Sequence, residues 1–155
     1  GDIPVYGGNG ITGYHSTSNS TSSKIVIGRV GEYCGVTHVT QEKAWITDNA
    51  LFVHELLCDL NHTFLYYILV HANLNQFANK NAQPLVSGKT LEMVNVSIPK
   101  CQKEQEKIAD ILSTVDEKIE LLEQQKVETE QLKKGLMQKL LTSEWRIPLG
   151  GSAAA

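Results

Sequence analysis

Apolar and polar residues follow two different rhythms along this 155-residue chain. Up to about Pro99, short β-branched runs recur at 3–6 (IPVY), 24–31 (KIVIGRVG), 35–40 (GVTHVT), 51–56 (LFVHEL) and 93–99 (MVNVSIP), with Gly, Asn and Ser between them. Runs of that length bounded by turn residues predict strands. One helix is predicted over 58–78, where Phe64, Tyr67, Ile68 and His71 share a face and Asn61 or Asp59 could cap the start.

From Gln102 the rhythm changes, with no glycine before Gly135 and no proline before Pro148. Ile108, Leu112, Val115, Ile119 and Leu122 step by four and three, which is a heptad seam. The seam weakens over 123–131, where Lys126 and Thr129 fall on it, and returns at Leu136 and Leu140. A helix over about 103–142 would be roughly 60 Å long, and part of so long an apolar stripe needs a partner. Leu121, Leu132, Met137 and Leu141 widen the stripe beyond what a two-stranded coil requires. Either a further subunit or the chain's own N-terminal region would account for the excess.

The expected fold class is therefore α+β: a mixed α/β domain followed by one long, coiled-coil-type C-terminal helix. The expected organisation is a domain at 1–100, a helix for dimerisation and subunit docking at 101–146, and a tail at 147–155. The tail ends in GGSAAA and reads as a cloning remnant outside the fold.

Composition narrows the function classes. No apolar run approaches the ~18 residues of a membrane span, and no secretion signal is present. Cys34, Cys58 and Cys101 are odd in number and widely spaced, which argues against a disulfide framework and for a reducing, cytoplasmic location. Without a secretion signal the sequons at Asn19, Asn61 and Asn95 carry no weight. The formal net charge is −3, with six Lys/Arg against seven Asp/Glu in residues 1–100. Contact with a polyanion must therefore rest on where individual cations stand, not on bulk charge.

Gly8-x-Gly10-x-x-Gly13 has the spacing of a dinucleotide fingerprint, but that motif needs a helix opening at its third glycine. Here YHSTSNSTSS follows, with little helix propensity and no apolar period. Two readings stay open: a surface hairpin with ordinary turn residues, or a loop bearing Tyr6, Asn9, Tyr14 and His15 that closely approaches a ligand. Cys34-x-x-x-His38 has no second ligand pair at zinc spacing, and no G-x-S-x-G elbow exists. His54, His62 and His71 lie among apolar residues and read as core or helix-surface histidines. Tyr66 and Tyr67 are expected on a helix face, Trp45 in the domain core and Trp145 at the end of the long helix.

Five segments in order, GDIPVYGGNGITGYHS, IVIGRVGEYCG, WITDNALFV, FLYYIL and AQPLVSGKTLEMVNVSIPKCQKEQEKIADILSTVDEKIE, resemble a target-recognition domain and its helix from a specificity (S) subunit of a type I restriction-modification enzyme. The ending QLKKGLMQKLLTSEWR is similar to the close of such helices, so the resemblance runs from Gly1 to about Arg146. It implies a non-catalytic subunit that reads double-stranded DNA and recruits a methyltransferase (M) subunit, sometimes with a restriction (R) subunit. No cofactor is then expected in this chain; S-adenosylmethionine would sit in M. One domain and one helix make half an S subunit, and the domain lacks the N-terminal segment usual in the family. A half subunit implies a homodimer paired through its helix, each copy reading half of a bipartite site.

Reading DNA needs amides, guanidinium or carboxylate groups at base edges and cations on phosphates. The first loop offers Asn9, Tyr14, His15 and Ser16. Arg29 suits a guanine edge or a phosphate, with a salt bridge to Glu32 as the alternative. Lys24, Lys43, Lys80 and Lys89 are candidate phosphate contacts. The dimer and partner helix would use Ile108, Leu112, Val115, Ile119, Leu122, Leu136 and Leu140. The competing function is a coiled-coil protein-interaction module without sequence-specific DNA binding.

Overall fold

The structure, a computed structural model, describes residues 1–79 and 83–148. Its first strand, β1 (Ile3–Gly7), turns through Gly8 and Asn9 into antiparallel β2 (Gly10–His15). The ladder shifts register between Val5 and Tyr6, a bulge that leaves Thr12 without a direct partner. The left-handed backbone falls not on the two turn residues but on the first residue of β2, Gly10, at φ 78°, a conformation glycine takes at no steric cost. The glycine cluster therefore folds as a hairpin. Tyr6, assigned to the loop from sequence, is instead a buried core residue of β1.

A second sheet centres on β3 (Ile25–Gly28), paired antiparallel on one side with β4 (Thr37–Val39) and on the other with β6 (Ala50–Phe52). All four β3 residues are buried, as a continuous apolar run predicts for a strand covered on both faces. The short β5 (Trp45–Ile46) runs parallel to β1 and completes the first sheet, in the order β2-β1-β5. Tyr6, Val26, Ala44, Ile46 and Ala50 form the cluster in which the two sheets share a core.

The predicted helix over 58–78 is shorter and broken. α1 spans His62–His71, and the Asn61 side chain caps it by accepting from the Phe64 N–H at 2.8 Å. Asn73 then takes φ 46°, which no α-helix continues through, and a 3-10 turn follows at Leu74–Phe77. The run over 93–99, expected as a strand, lies outside regular structure: α2 (Gly88–Glu92) ends just before it, and no described strand pairs with it. A β-branched run becomes a strand only where a neighbour supplies the ladder.

α3 covers Gln102–Leu141, 40 residues, close to the predicted span. The chain divides into compact units Gly1–Asp110 and Ile111–Ala155, so the first two turns of α3 belong to the first unit. There Gln105 and Ala109 are buried. The Gln105 carboxamide accepts from the Asn61 N–H at 2.9 Å and donates to the Pro99 carbonyl at 2.8 Å. One side chain thus satisfies the amide at the α1 N-cap and the carbonyl ahead of α3.

His38 on β4 sits against the hairpin: a Cβ on Gly10 would stand 3.2 Å from its ring. Its Nε2 is buried without a hydrogen-bond partner, and burial lowers its pKa from the ordinary 6.5.

Two outcomes follow. Gln105→Ala removes both hydrogen bonds and strands two backbone groups, and should cost about 2–3 kcal/mol in urea unfolding; a loss under half that would mean water replaces the amide. Because the folded-state pKa of His38 lies below its unfolded value, the unfolded chain binds more protons. The stability it contributes is complete above about pH 6.5 and declines as pH falls through that value. Thermal melts of His38→Leu between about pH 7.5 and pH 5 should show a shallower acid decline than the parent chain; equal slopes would remove His38 as the source.

Candidate functional site

The hairpin separates the sequence-predicted residues into two groups, because β2 is six residues long and its ends lie roughly 20 Å apart. At one end stands the Gly8–Asn9 turn, with Asn9 exposed. A Cβ on Gly8 would meet the Val30 carbonyl at 2.9 Å, so this turn lies against the segment carrying Arg29. Arg29 is exposed; its backbone N–H donates to the Asn49 carbonyl and its Nη1 to the Asp48 carbonyl at 3.3 Å. The guanidinium is thus held by a backbone oxygen, not by the Glu32 carboxylate. Its other donors are left for an outside acceptor.

At the other end, Tyr14, His15 and Ser16 are exposed, Tyr14 to 66%. The His15 ring packs on Trp45, centroids 4.6 Å apart and planes at 45°. Its Nδ1 faces Thr17, within 3.1 Å of the backbone N–H, the carbonyl oxygen and the side-chain hydroxyl. With Nδ1 unprotonated the ring accepts from the N–H and the hydroxyl; protonated there, it donates to the carbonyl or the hydroxyl instead. Trp45, expected in the core, is half-buried and serves here as the floor beneath His15.

The Ser/Thr/Asn run after His15, which shows no helical pattern in sequence, is pinned. Asn19 grips the backbone of Ile46 twice: Nδ2 donates to its carbonyl and Oδ1 accepts its N–H, each at 2.8 Å. An antiparallel bridge joins Ser20 to Ala44, and the Ser20 hydroxyl donates to the Ser22 carbonyl at 2.8 Å. This run walls a cavity of 290 Å³ together with Lys24, Ile46, Phe52 and His54. Lys24 is half-buried and its Nζ donates to the His54 carbonyl at 3.4 Å. The pKa of His62 is lowered, by burial first and then by the charge of Lys24. Lys43, exposed, comes just before the Ala44–Trp45 pair on this side.

Two other candidates stand apart. Lys89 is exposed on α2, whose start is fixed by the Ser87–Thr90 capping box. Lys80 lies outside the described residues. Cys34 is buried, Asn75 donates to its carbonyl at 2.8 Å, and the described residues hold no group of three metal-ligating side chains. Sequence reading missed the roles of Trp45, Asn19 and His54. Each acts across 27 or more residues of chain, and residue type alone carries no signal of such a pairing.

On the second unit, Leu112, Val115, Ile119, Leu122, Leu136 and Leu140 are each 37–50% exposed. Ile108, within the first unit, is half-buried. Leu132, Leu136, Met137, Leu140 and Leu141 line an apolar groove near the end of α3. The helix stops at Ser143, which takes φ 65°, and the Trp145 N–H returns to the Lys139 carbonyl at 2.9 Å. Lys139 in turn lies 4.4 Å from the centre of the Trp145 ring. Among the described residues, no helix is long and apolar enough to cross a membrane.

Comparison with known proteins agrees with this architecture. The family model described as type I restriction modification DNA specificity domain matches residues 1–131. The specificity subunit of the type I restriction enzyme EcoprrI from Escherichia coli is 32% identical over 113 residues, covering 73% of this chain and 28% of that protein. The crystal structure of a type I restriction-modification system S subunit from M. genitalium superposes with a TM-score of 0.72 at 21% identity, covering 90% of this chain and 38% of that one. The chain thus spans well under half the length of either relative.

Proposed function

This chain belongs to the type I restriction-modification DNA specificity domain family, and on that premise we propose that it reads one half of a bipartite double-stranded DNA target and recruits a methyltransferase subunit to it. The chain performs no chemistry itself. S-adenosylmethionine belongs to the methyltransferase, a restriction subunit joins where the system cleaves, and the assembly works in the cytoplasm.

The observation that carries this reading is the exposed seam of α3. Its leucines, isoleucine and valine recur at heptad spacing and stay in solvent when the chain is alone. Pairing two such seams stabilises a dimer by about 25 cal/mol for each Å² of apolar area removed from water. Two-fold pairing of identical helices then presents two identical readers to a symmetric, split site. The additional apolar residues near Leu132 and Met137 suit the methyltransferase subunit. On the reading unit, Asn9 with Arg29 and Tyr14 with His15 and Ser16 serve as base-edge groups at the two ends of one hairpin. Lys24, Lys43, Lys80 and Lys89 serve as phosphate contacts.

The purified chain should transfer no methyl group, whereas adding its cognate methyltransferase subunit should yield methylation at a two-part sequence. Methyl transfer by the chain alone would refute the assignment, and a complex that protects no bipartite sequence in footprinting would leave only a protein-interaction module. Replacing Leu112 and Ile119 together by Glu should convert the dimer to a monomer in light scattering. A dimer that persists would place the interface off the seam.

A further inference from the structure

We propose that the cavity walled by Asn19, Ser22, Lys24, Phe52 and His54 is a phosphodiester site, which seats one backbone phosphate of the DNA and sets the register of Tyr14 and His15. The inference rests on the DNA-reading function above and adds to it a defined anchoring point.

Four observations converge on it. The cavity's 290 Å³ is about ten times the share of one liquid water, enough for a phosphate and its ester oxygens. Its wall is preorganised: the double grip of Asn19 on Ile46 and the Ser20–Ala44 bridge fix the run bearing the Thr21 and Ser22 hydroxyls, so no ordering is needed on binding. Lys24 spends one donor on the His54 carbonyl, and no carboxylate of the described residues pairs with it. Two of its three N–H donors remain for an anion. Finally, the positive charge of Lys24 reaches His62, whose pKa is lowered by burial first and then by that charge. His54 is oriented at the rim by Phe52, ring centroids 6.1 Å apart at 65°.

Through Asn19 the site is coupled to β5, where Trp45 adjoins Ile46 and supports His15. A phosphate seated on Lys24 therefore places a neighbouring base edge against the His15 ring, which Trp45 and Thr17 already position. A phosphate contact of this kind adds affinity uniformly across sequences and fixes where the base-reading groups land.

Dimethyl phosphate, a diester monoanion, titrated into the chain should shift the ring resonances of His54 and His62 and raise the pKa of His62. Lys24→Gln and His54→Gln, each checked for a wild-type melting curve, should weaken that response. With the methyltransferase complex on target DNA, Lys24→Gln should lower the slope of log K against log salt by about 1 and weaken all sequences alike. Silence of the rings towards dimethyl phosphate, or an unchanged salt slope in a variant that still binds DNA, would overturn the site and leave the DNA-reading function standing. A response to inorganic phosphate alone would make it a free-phosphate site and equally overturn the proposal. Absence of sequence-dependent DNA binding by the wild-type complex would remove the function itself, and this inference with it.

Discussion

The first unit is organised by a contact that leaves no room for a side chain. Gly28, at the end of β3, presents a bare Cα to the Gly8 carbonyl, and a Cβ there would also stand 2.9 Å from the Tyr33 carbonyl. That approach brings the hairpin turn of one sheet onto the end of the central strand of the other, beside the core shared by Tyr6, Val26 and Ile46. Three backbone segments then converge: the hairpin turn, the strand exit carrying Arg29, and the Asp48–Asn49 turn. Their polar groups are satisfied by one another, as in the Arg29 N–H to Asn49 carbonyl bond. The Gly8–Asn9 turn thereby lies against the backbone of Val30 and Asn49.

The opposite end of the hairpin depends on side chains instead of bare backbone. Asn19 imitates a strand partner, giving Ile46 both a donor and an acceptor where no β-ladder reaches. The His15 ring packs on the aromatic floor of Trp45, and Thr17 contacts its Nδ1.

α3 answers two demands along one helix. Its first two turns bury Gln105 and Ala109 in the first unit, with the carboxamide bridging two backbone groups. Beyond Asp110 the apolar residues are exposed and repeat at heptad spacing. Helices gain most of their stability from packing an apolar face, and this 40-residue helix leaves most of that face exposed.

The sequence by itself determined the rhythms: β-branched runs then heptads, the Asn61 cap, the position of α3 and the family. It also excluded a nucleotide-binding helix after Gly13, since no local pattern could form one. Tertiary structure decided what residue types leave open. The 93–99 run is not a strand because no partner strand meets it, and the Ser/Thr/Asn run is held because Ile46, 27 residues away, meets Asn19. Trp45 supports His15 in place of filling the core. Periodicity and capping are written within a few residues of chain, whereas a pairing across a fold exists only once the backbone has brought its two halves together.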